Sequence, residues 1–243
     1  MSIPEGAVDV FGDGLGFVRL VQHCGSELDI ANAARVSVHK ESTWKDGWDQ
    51  YSEELRDEDK GLLRFLLKNR HGTPFEQGFY CQWHVRAPIF VFREWHRHRI
   101  GISINEESGR YVELRPDFYI AQNLRKQVGK PGAYTYEPIE NEFKVDLYQG
   151  IIQMGYEDAW ERYQYLLGEG VAKEVARQVL PLNIYSEMRW TANARSLMNF
   201  FSLRCAESAQ WEIRQYALAM EEIFAKHMPT VHQAFIESGR IAP

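Results

Sequence analysis

The chain predicts an α+β fold with a central, mostly antiparallel sheet flanked by helices and a helix-rich C-terminal half; three observations carry this. Apolar Phe79, Cys81, Trp83 and Val85 alternate with Tyr80, Gln82, His84 and Arg86, the period-two pattern of a strand. Farther on, Tyr148, Ile152, Tyr156, Ala159, Tyr163, Leu166 and Leu167 recur at helical spacing, which buries one face of a long helix. Helices gather late while strands punctuate the middle, which points away from regular βαβ alternation and a parallel sheet.

In chain order, Phe17 to Val21 reads as an early strand. Ser26, ahead of Glu27, Leu28 and an Ala-rich run, reads as the N-cap of a helix. Residues 40–55 are polar and without period, a loop. Asp57 to Asn69 carries Leu62, Leu63, Phe65, Leu66 and Leu67, a helix stopped by His71-Gly72-Thr73-Pro74. After the strand Gly78 to Arg86, Pro88 suits the first turn of a helix from Ile89 to about Arg99, because its missing N–H has no partner there anyway. Ser108 to Leu114 reads as a strand entered through Gly109, and residues 115–140 as a long loop. The long helix spans Asn141 to Leu167 and closes at Gly168 and Gly170. A helix from Val171 must end by Pro181, and Asn183 to Thr191 fits either strand or helix, with strand the preferred reading. Asn193 is placed to cap a helix through Arg204, followed by a helix from Ala206 to His227.

With 243 residues the chain is long enough for one sizeable core; one domain with a helical extension and two small domains would both fit, and we expect a single domain over 1–243. No apolar run is long enough to span a bilayer, and Met1 to Gly6 lacks a secretory pattern, so cytoplasmic residence is expected. Cys24, Cys81 and Cys205 show no CxxC spacing and read as small buried hydrophobes. The net charge of −6 disfavours nucleic acid as partner, because counterion release rewards a broadly basic surface. Yet from Arg86 to Arg115 the cations Arg86, Arg93, Arg97, Arg99, Arg110 and Arg115 occur without a lysine. Arginine alone suggests forked recognition of phosphate or carboxylate, hence a small anionic ligand. No GxGxxG or GxxxxGK[ST] occurs, so a dinucleotide would bind without a Rossmann or P-loop cradle.

The densest chemistry lies in Glu94-Trp95-His96-Arg97-His98-Arg99, followed by Ser108-Gly109-Arg110. On a helix, Arg93 and Arg97 would share one face and Glu94 and His98 the next. The plain alternative is an exposed, salt-bridged helix end. Gly109 would let backbone N–H groups approach an anion closely. This stretch resembles the signature of flavin-dependent thymidylate synthases, an Arg-His-Arg triplet, a spacer and Ser-x-Arg. The spacer here is eight residues where seven is usual, with the extra one assigned to a turn at Gly101. The resemblance extends to His71-Gly72-Thr73-Pro74-Phe75-Glu76, Ala87-Pro88-Ile89-Phe90-Val91, Glu174 to Arg177, Pro181 to Asn183, Asn193 to Phe200, Leu203-Arg204 and Ala209 to Glu212.

What the resemblance implies is an enzyme that methylates dUMP to dTMP. FAD would be the cofactor, 5,10-methylenetetrahydrofolate the carbon donor and NADPH the reductant, with tetrahydrofolate released. FAD would be held by Thr73, Arg97, His98, Arg99, Glu106, Asn193, Arg195 and Asn199, with His71 nearby. The substrate would meet Glu94, Trp95, His96, Arg97, Glu106, Glu107, Ser108, Gly109, Arg110, Arg177 and Arg204. Position 94 is often glutamine in the family. Arg204 would be the catalytic residue, stabilising negative charge on the uracil; a guanidinium stays protonated, which favours this electrostatic role over that of a base. Ser108 has no adjacent base and suits nucleotide binding better than nucleophilic attack. Helix geometry adds that Arg195 and Asn199 share a face while Arg204 lies about half a turn away. One protomer would then serve more than one site, as in the family's homotetramers with active sites at subunit interfaces.

Three rivals stand beside this reading. A metal-dependent hydrolase could use His96 and His98, but no third ligand is spaced for a site and flanking arginines oppose a dication. A DNA-binding His-Arg-His-Arg helix conflicts with the net charge. A synthase forming a covalent cysteine adduct would depend on Cys205. Trp160, Tyr163 and Tyr165 read as core or interface, and Met188, Met198 and Met220 as packing.

Overall fold

The computed structural model describes residues 3–46 and 54–243, so residues 47–53 of the loop expected over 40–55 lie outside the described residues. The elements run β1 (Val8–Asp9), β2 (Phe17–Gly25), α1 (Glu27–Arg35), α2 (Asp57–Lys68), α3 (Thr73–Gln77), β3 (Phe79–Pro88) and α4 (Ile89–Trp95). There follow β4 (Ile102–Glu106), the hairpin strands β5 (Arg125–Lys130) and β6 (Ala133–Pro138), α5 (Glu142–Gly168) and α6 (Lys173–Ala176). The chain continues through β7 (Tyr185–Asn193), α7 (Ala194–Arg204), α8 (Trp211–His227) and α9 (Pro229–Glu237). Five strands form an antiparallel sheet in the order β1-β2-β3-β7-β4, and β5 and β6 pair by themselves. The expected fold class is therefore the observed one.

Contacts divide the chain into two compact units, Met1–Arg86 with Arg93–Asn105 and Glu187–Pro243, and Ala87–Phe92 with Glu106–Ser186. In the first, the inward residues of β2, β3 and β7 meet α7 and α8. Trp95 has no exposed surface and packs on Phe200 (ring centroids 5.1 Å apart), Tyr216 (5.7 Å) and Trp190 (5.9 Å). Tyr216 donates its hydroxyl to the Arg86 carbonyl at 2.7 Å, so the ring is fixed at both ends. In the second unit, Leu114, Phe118 and Ile184 form a smaller core with Ile89, Tyr156, Trp160 and Leu180.

Local chemistry explains the helix starts. Ser26 accepts from the Asp29 N–H, Asn141 from Lys144 and Asn193 from Ser196, three side-chain caps for α1, α5 and α7. α9 has none of its own. Its Val231 N–H instead donates to the buried Glu27 carboxylate at 2.7 Å, across 204 residues of sequence. Burial raises the Glu27 pKa, with the backbone N–H of Val231 opposing that rise.

Several sequence expectations need correction. Pro88 closes β3, and α4 ends at Trp95, not near Arg99, so Arg97 and His98 are off the helix. The strand expected over Ser108 to Leu114 is a turn, in which Ser108 O accepts from Tyr111 N (3.0 Å) and Val112 N (3.1 Å). The extended segment is earlier, at β4, where Ile102 and Ile104 alternate after the left-handed Gly101 (φ +66°). The loop over 115–140 contains the β5–β6 hairpin. The helix from Val171 reduces to α6 and a 3-10 turn at Arg177–Val179. The helix expected from Ala206 begins only at Trp211, because Ala206 to Ala209 close a turn of their own.

Candidate functional site

In the first unit, the helix geometry inferred for α7 holds, since the helix persists to Arg204. Arg195 and Asn199 border one cavity of about 300 Å³ together with Glu76, Ile100, Ala242 and Pro243. Arg204 turns elsewhere. Its guanidinium donates Nη1 to Glu94 Oε2 at 2.7 Å, Nη2 to the Glu94 carbonyl at 3.0 Å and Nε to His98 Nε2 at 2.9 Å. Thus Glu94 and His98 do converge, though on Arg204 and not along a helix face.

His98 is 6 % exposed and lies edge-on to Phe200. Burial, and then the charge of Arg204, lower its pKa to about 4. The ring is therefore neutral near pH 7, with Nε2 as acceptor and the proton on Nδ1. Three of the five guanidinium N–H groups of Arg204 are thus used, and two remain in a fixed plane for a ligand.

Arg195 is held from two sides: it pairs with Glu76, and its Nε donates to the Pro243 carbonyl at 2.7 Å. It lies against Gly72, where an added Cβ would come within 2.5 Å of Arg195 Nε. The glycine of His71-Gly72-Thr73 is therefore a seat for this guanidinium, a role that sequence reading did not find. Glu76 and Gly72 both stood inside a recognised segment, but only their contact with a residue far along the chain shows their part. The last residues are set by Arg240, itself left-handed (φ +60°), whose side chain donates to buried Glu221 at 2.5 Å and whose carbonyl accepts from Ser202 Oγ at 2.5 Å.

The turn at Gly101 is docked on the start of α7: the Ile100 carbonyl accepts from Ser196 Oγ at 2.7 Å. A Cβ at Gly101 would lie 2.5 Å from both Asn193 Nδ2 and Ser196 Oγ. Among the other expected cofactor residues, Asn193 is buried as the α7 cap, while His71, Thr73, Arg97 and Arg99 are exposed. His96 is half-buried. Trp95, expected to contact substrate, has no exposed side-chain surface to offer and belongs to the core.

In the second unit, Gly109 is buried against Arg177 and Leu114, with 3.3 Å between a Cβ built on it and Arg177 Cδ. Arg177 itself is exposed. Arg110 pairs with Glu174 at 3.0 Å, and each side chain is about half exposed (54 % and 53 %). Ser108 Oγ accepts from the Arg110 N–H at 3.3 Å, a turn contact and not the mark of an activated nucleophile. Glu106 accepts from Ser186 Oγ at 3.1 Å, and Glu107 is half-buried.

Cys81 and Cys205 are poor nucleophiles, whereas Cys24 is exposed and not the buried hydrophobe that the sequence suggests. Burial pushes the Cys205 thiol up, with adjacent Glu221 adding to it, and burial pushes Cys81 up to about 12. Among the described residues no group of three His, Cys, Asp or Glu is placed to hold a metal ion. No helix among them is long and apolar enough to cross a membrane.

A family model described as "Thymidylate synthase complementing protein" matches residues 19–230. A flavin-dependent thymidylate synthase from Tropheryma whipplei is 45 % identical over 235 residues, covering 93 % of this chain and 94 % of that protein. One from Streptomyces avermitilis is 42 % identical over 239 residues, covering 93 % of each. Among solved structures, the UMP/dUMP methylase PolB of Streptomyces cacaoi with bound 5-Br dUMP superposes with a TM-score of 0.81 at 40 % identity, covering 93 % of this chain and 97 % of that one.

Proposed function

Because this chain belongs to the thymidylate synthase complementing protein family, the flavin-dependent thymidylate synthases, we propose that it converts dUMP to dTMP. Methylenetetrahydrofolate would give the carbon, and NADPH with a proton the reducing equivalents; dTMP, tetrahydrofolate and NADP⁺ would leave. The observation that carries this most directly is the fixed guanidinium of Arg204, with two free N–H groups, beside neutral His98.

For the flavin, FAD, the cavity beside Arg195 and Asn199 and the seat at Gly72 fit part of a dinucleotide: a guanidinium with unused N–H groups and a side-chain amide, at backbone close enough to exclude a Cβ. Arg195 and Asn199 would hold it, with His71, Thr73, Arg97, His98, Arg99, Glu106 and Asn193 as further contacts. When bound, a flavin supplies two-electron, hydride-transfer chemistry. Arg204 would stabilise negative charge on the uracil ring as C5 becomes nucleophilic. Arg110, Arg177 and the backbone at Gly109 would take the nucleotide phosphate, with Glu94, His96, Arg97, Glu106, Glu107 and Ser108 completing the substrate set. The Arg110–Glu174 pair, being half exposed, gives up little when a phosphate replaces the carboxylate.

The reading takes residues 1–243 as one functional domain of a cytoplasmic homotetramer with active sites between subunits. Self-association is supported by α5, where Phe143 (76 % exposed), Leu147, Ile151 (59 %) and Met154 (70 %) line one exposed apolar stripe. The test is the visible spectrum of the purified protein, titrated with dUMP. We expect a yellow protein whose flavin bands shift on dUMP addition; failure to bind FAD offered in excess overturns the reading.

A further inference from the structure

The cleft between α2 and α9 holds charge that the proposed reaction leaves unused. A cavity of about 450 Å³ is bordered by Arg64, Lys68 and Arg70 from the α2 segment and by Glu237 and Ile241 from the α9 segment. Arg64 and Lys68 lie four apart and share a helix face. Arg70 follows the helix end, where Arg70 N donates to Leu67 O (3.1 Å) and His71 N to Leu66 O (2.9 Å). It is left-handed, at φ +59°.

That closing position of a helix normally takes glycine, because a Cβ is sterically penalised there. A strained arginine needs a reason. The other left-handed arginine, Arg240, has one in its bonds through Glu221 and Ser202. Among the described residues, Arg70 and Lys68 pair with no carboxylate, and Arg64 meets Glu237 only at 3.6 Å. Three cations against one carboxylate leave a local excess of two positive charges in a cleft of a chain whose net charge is −6. A concave site of net positive charge concentrates small anions, whereas the acidic remainder repels an extended polyanion.

We propose that this cleft is a phosphate subsite for a nucleotide co-substrate, occupied by the 2′-phosphate of NADPH. The assignment to the reductant rests on the function proposed above; phosphate binding in the cleft does not. The phosphates of dUMP and FAD already have arginines assigned to them in that reading, and the reductant's has none. Ile241 borders this cleft while the next residues, Ala242 and Pro243, border the cavity of Arg195 and Asn199, so one short segment walls both.

The test uses the flavin-loaded protein and two variants, Arg70→Gly and the double variant Arg64→Gln/Lys68→Gln. Arg70→Gly removes the charge while relieving the left-handed strain, so the variant should fold with an equal or higher Tm. Titration with inorganic phosphate, followed by calorimetry and thermal shift, should show at least about tenfold weaker binding in both variants. The ratio of KM for NADPH to KM for NADH should rise about tenfold. Phosphate binding equal to that of the parent in both variants overturns the site. Weakened phosphate binding with an unchanged NADPH to NADH ratio overturns the assignment to the reductant, leaving a site for free phosphate. If the protein takes no flavin, the phosphate titration on the unliganded chain still decides the subsite, separating its failure from failure of the proposed reaction.

Discussion

Two glutamate–arginine pairs, one in each compact unit, use the same chemistry to opposite effect. Arg204 is 16 % exposed, bonded in three directions, and its neighbour His98 is held neutral by burial. Arg110 is 54 % exposed and, among the described residues, meets Glu174 alone among carboxylates. The first arrangement fixes the plane of a guanidinium, which matters where charge must be met in one orientation. The second holds a cation in readiness for exchange, which suits an anion that arrives and leaves. Burial and the number of partners, more than the ion pair itself, set the difference.

The largest expected effect comes from breaking the fixed plane. Arg204→Lys keeps the charge but loses the fork, and we expect kcat to fall about 10²–10³-fold with the fold intact. Steady-state kinetics with circular dichroism would check it, and a loss under about threefold would show that orientation does not matter. Next is pH. Because the folded His98 pKa is lowered to about 4, its neutral form is favoured by folding, so this stability is fully present above the unfolded value of about 6.5 and is lost as pH falls towards 4. The upper bound is about 3 kcal/mol. Urea melts across that range should show the loss in the parent and a flatter profile in His98→Gln; parallel profiles would place the acid sensitivity elsewhere. The smallest effects belong to the exposed pair. Arg110→Gln should raise the KM for dUMP about tenfold with little change in kcat. Glu174→Gln should lower it a few-fold, and unfolding free energy should move by less than about 0.5 kcal/mol in either variant.

What sequence could reveal followed the range of the forces involved. Ser26, Asn141 and Asn193 announce their helices because a cap acts over three residues, and the β3 alternation is equally local. The sequence pattern carries α4 past its true end because Arg93 to Arg99 has helical spacing of charges but no apolar face after Trp95 to bury. The β5–β6 hairpin buries no face, its β6 residues being exposed throughout, so the short alternation of Tyr134 and Tyr136 about Thr135 stands alone without a core to reinforce it. At the candidate site, the separation of Arg195 and Asn199 from Arg204 was legible from the pitch of a helix. The seat at Gly72, the pairing of Glu76 with Arg195 and the part played by Pro243 were not, since each joins residues distant in sequence.

The bond from Val231 to Glu27 spans 204 residues, and this gives the molecule a temporal order. At a synthesis rate of roughly 5–20 residues per second, the acid emerges roughly 10–40 s before the amide that will receive it. Until then α1 carries a solvated charge at a place destined for the interior. A nascent chain stalled short of α9 lacks the Val231 N–H from which Glu27 accepts in the folded protein.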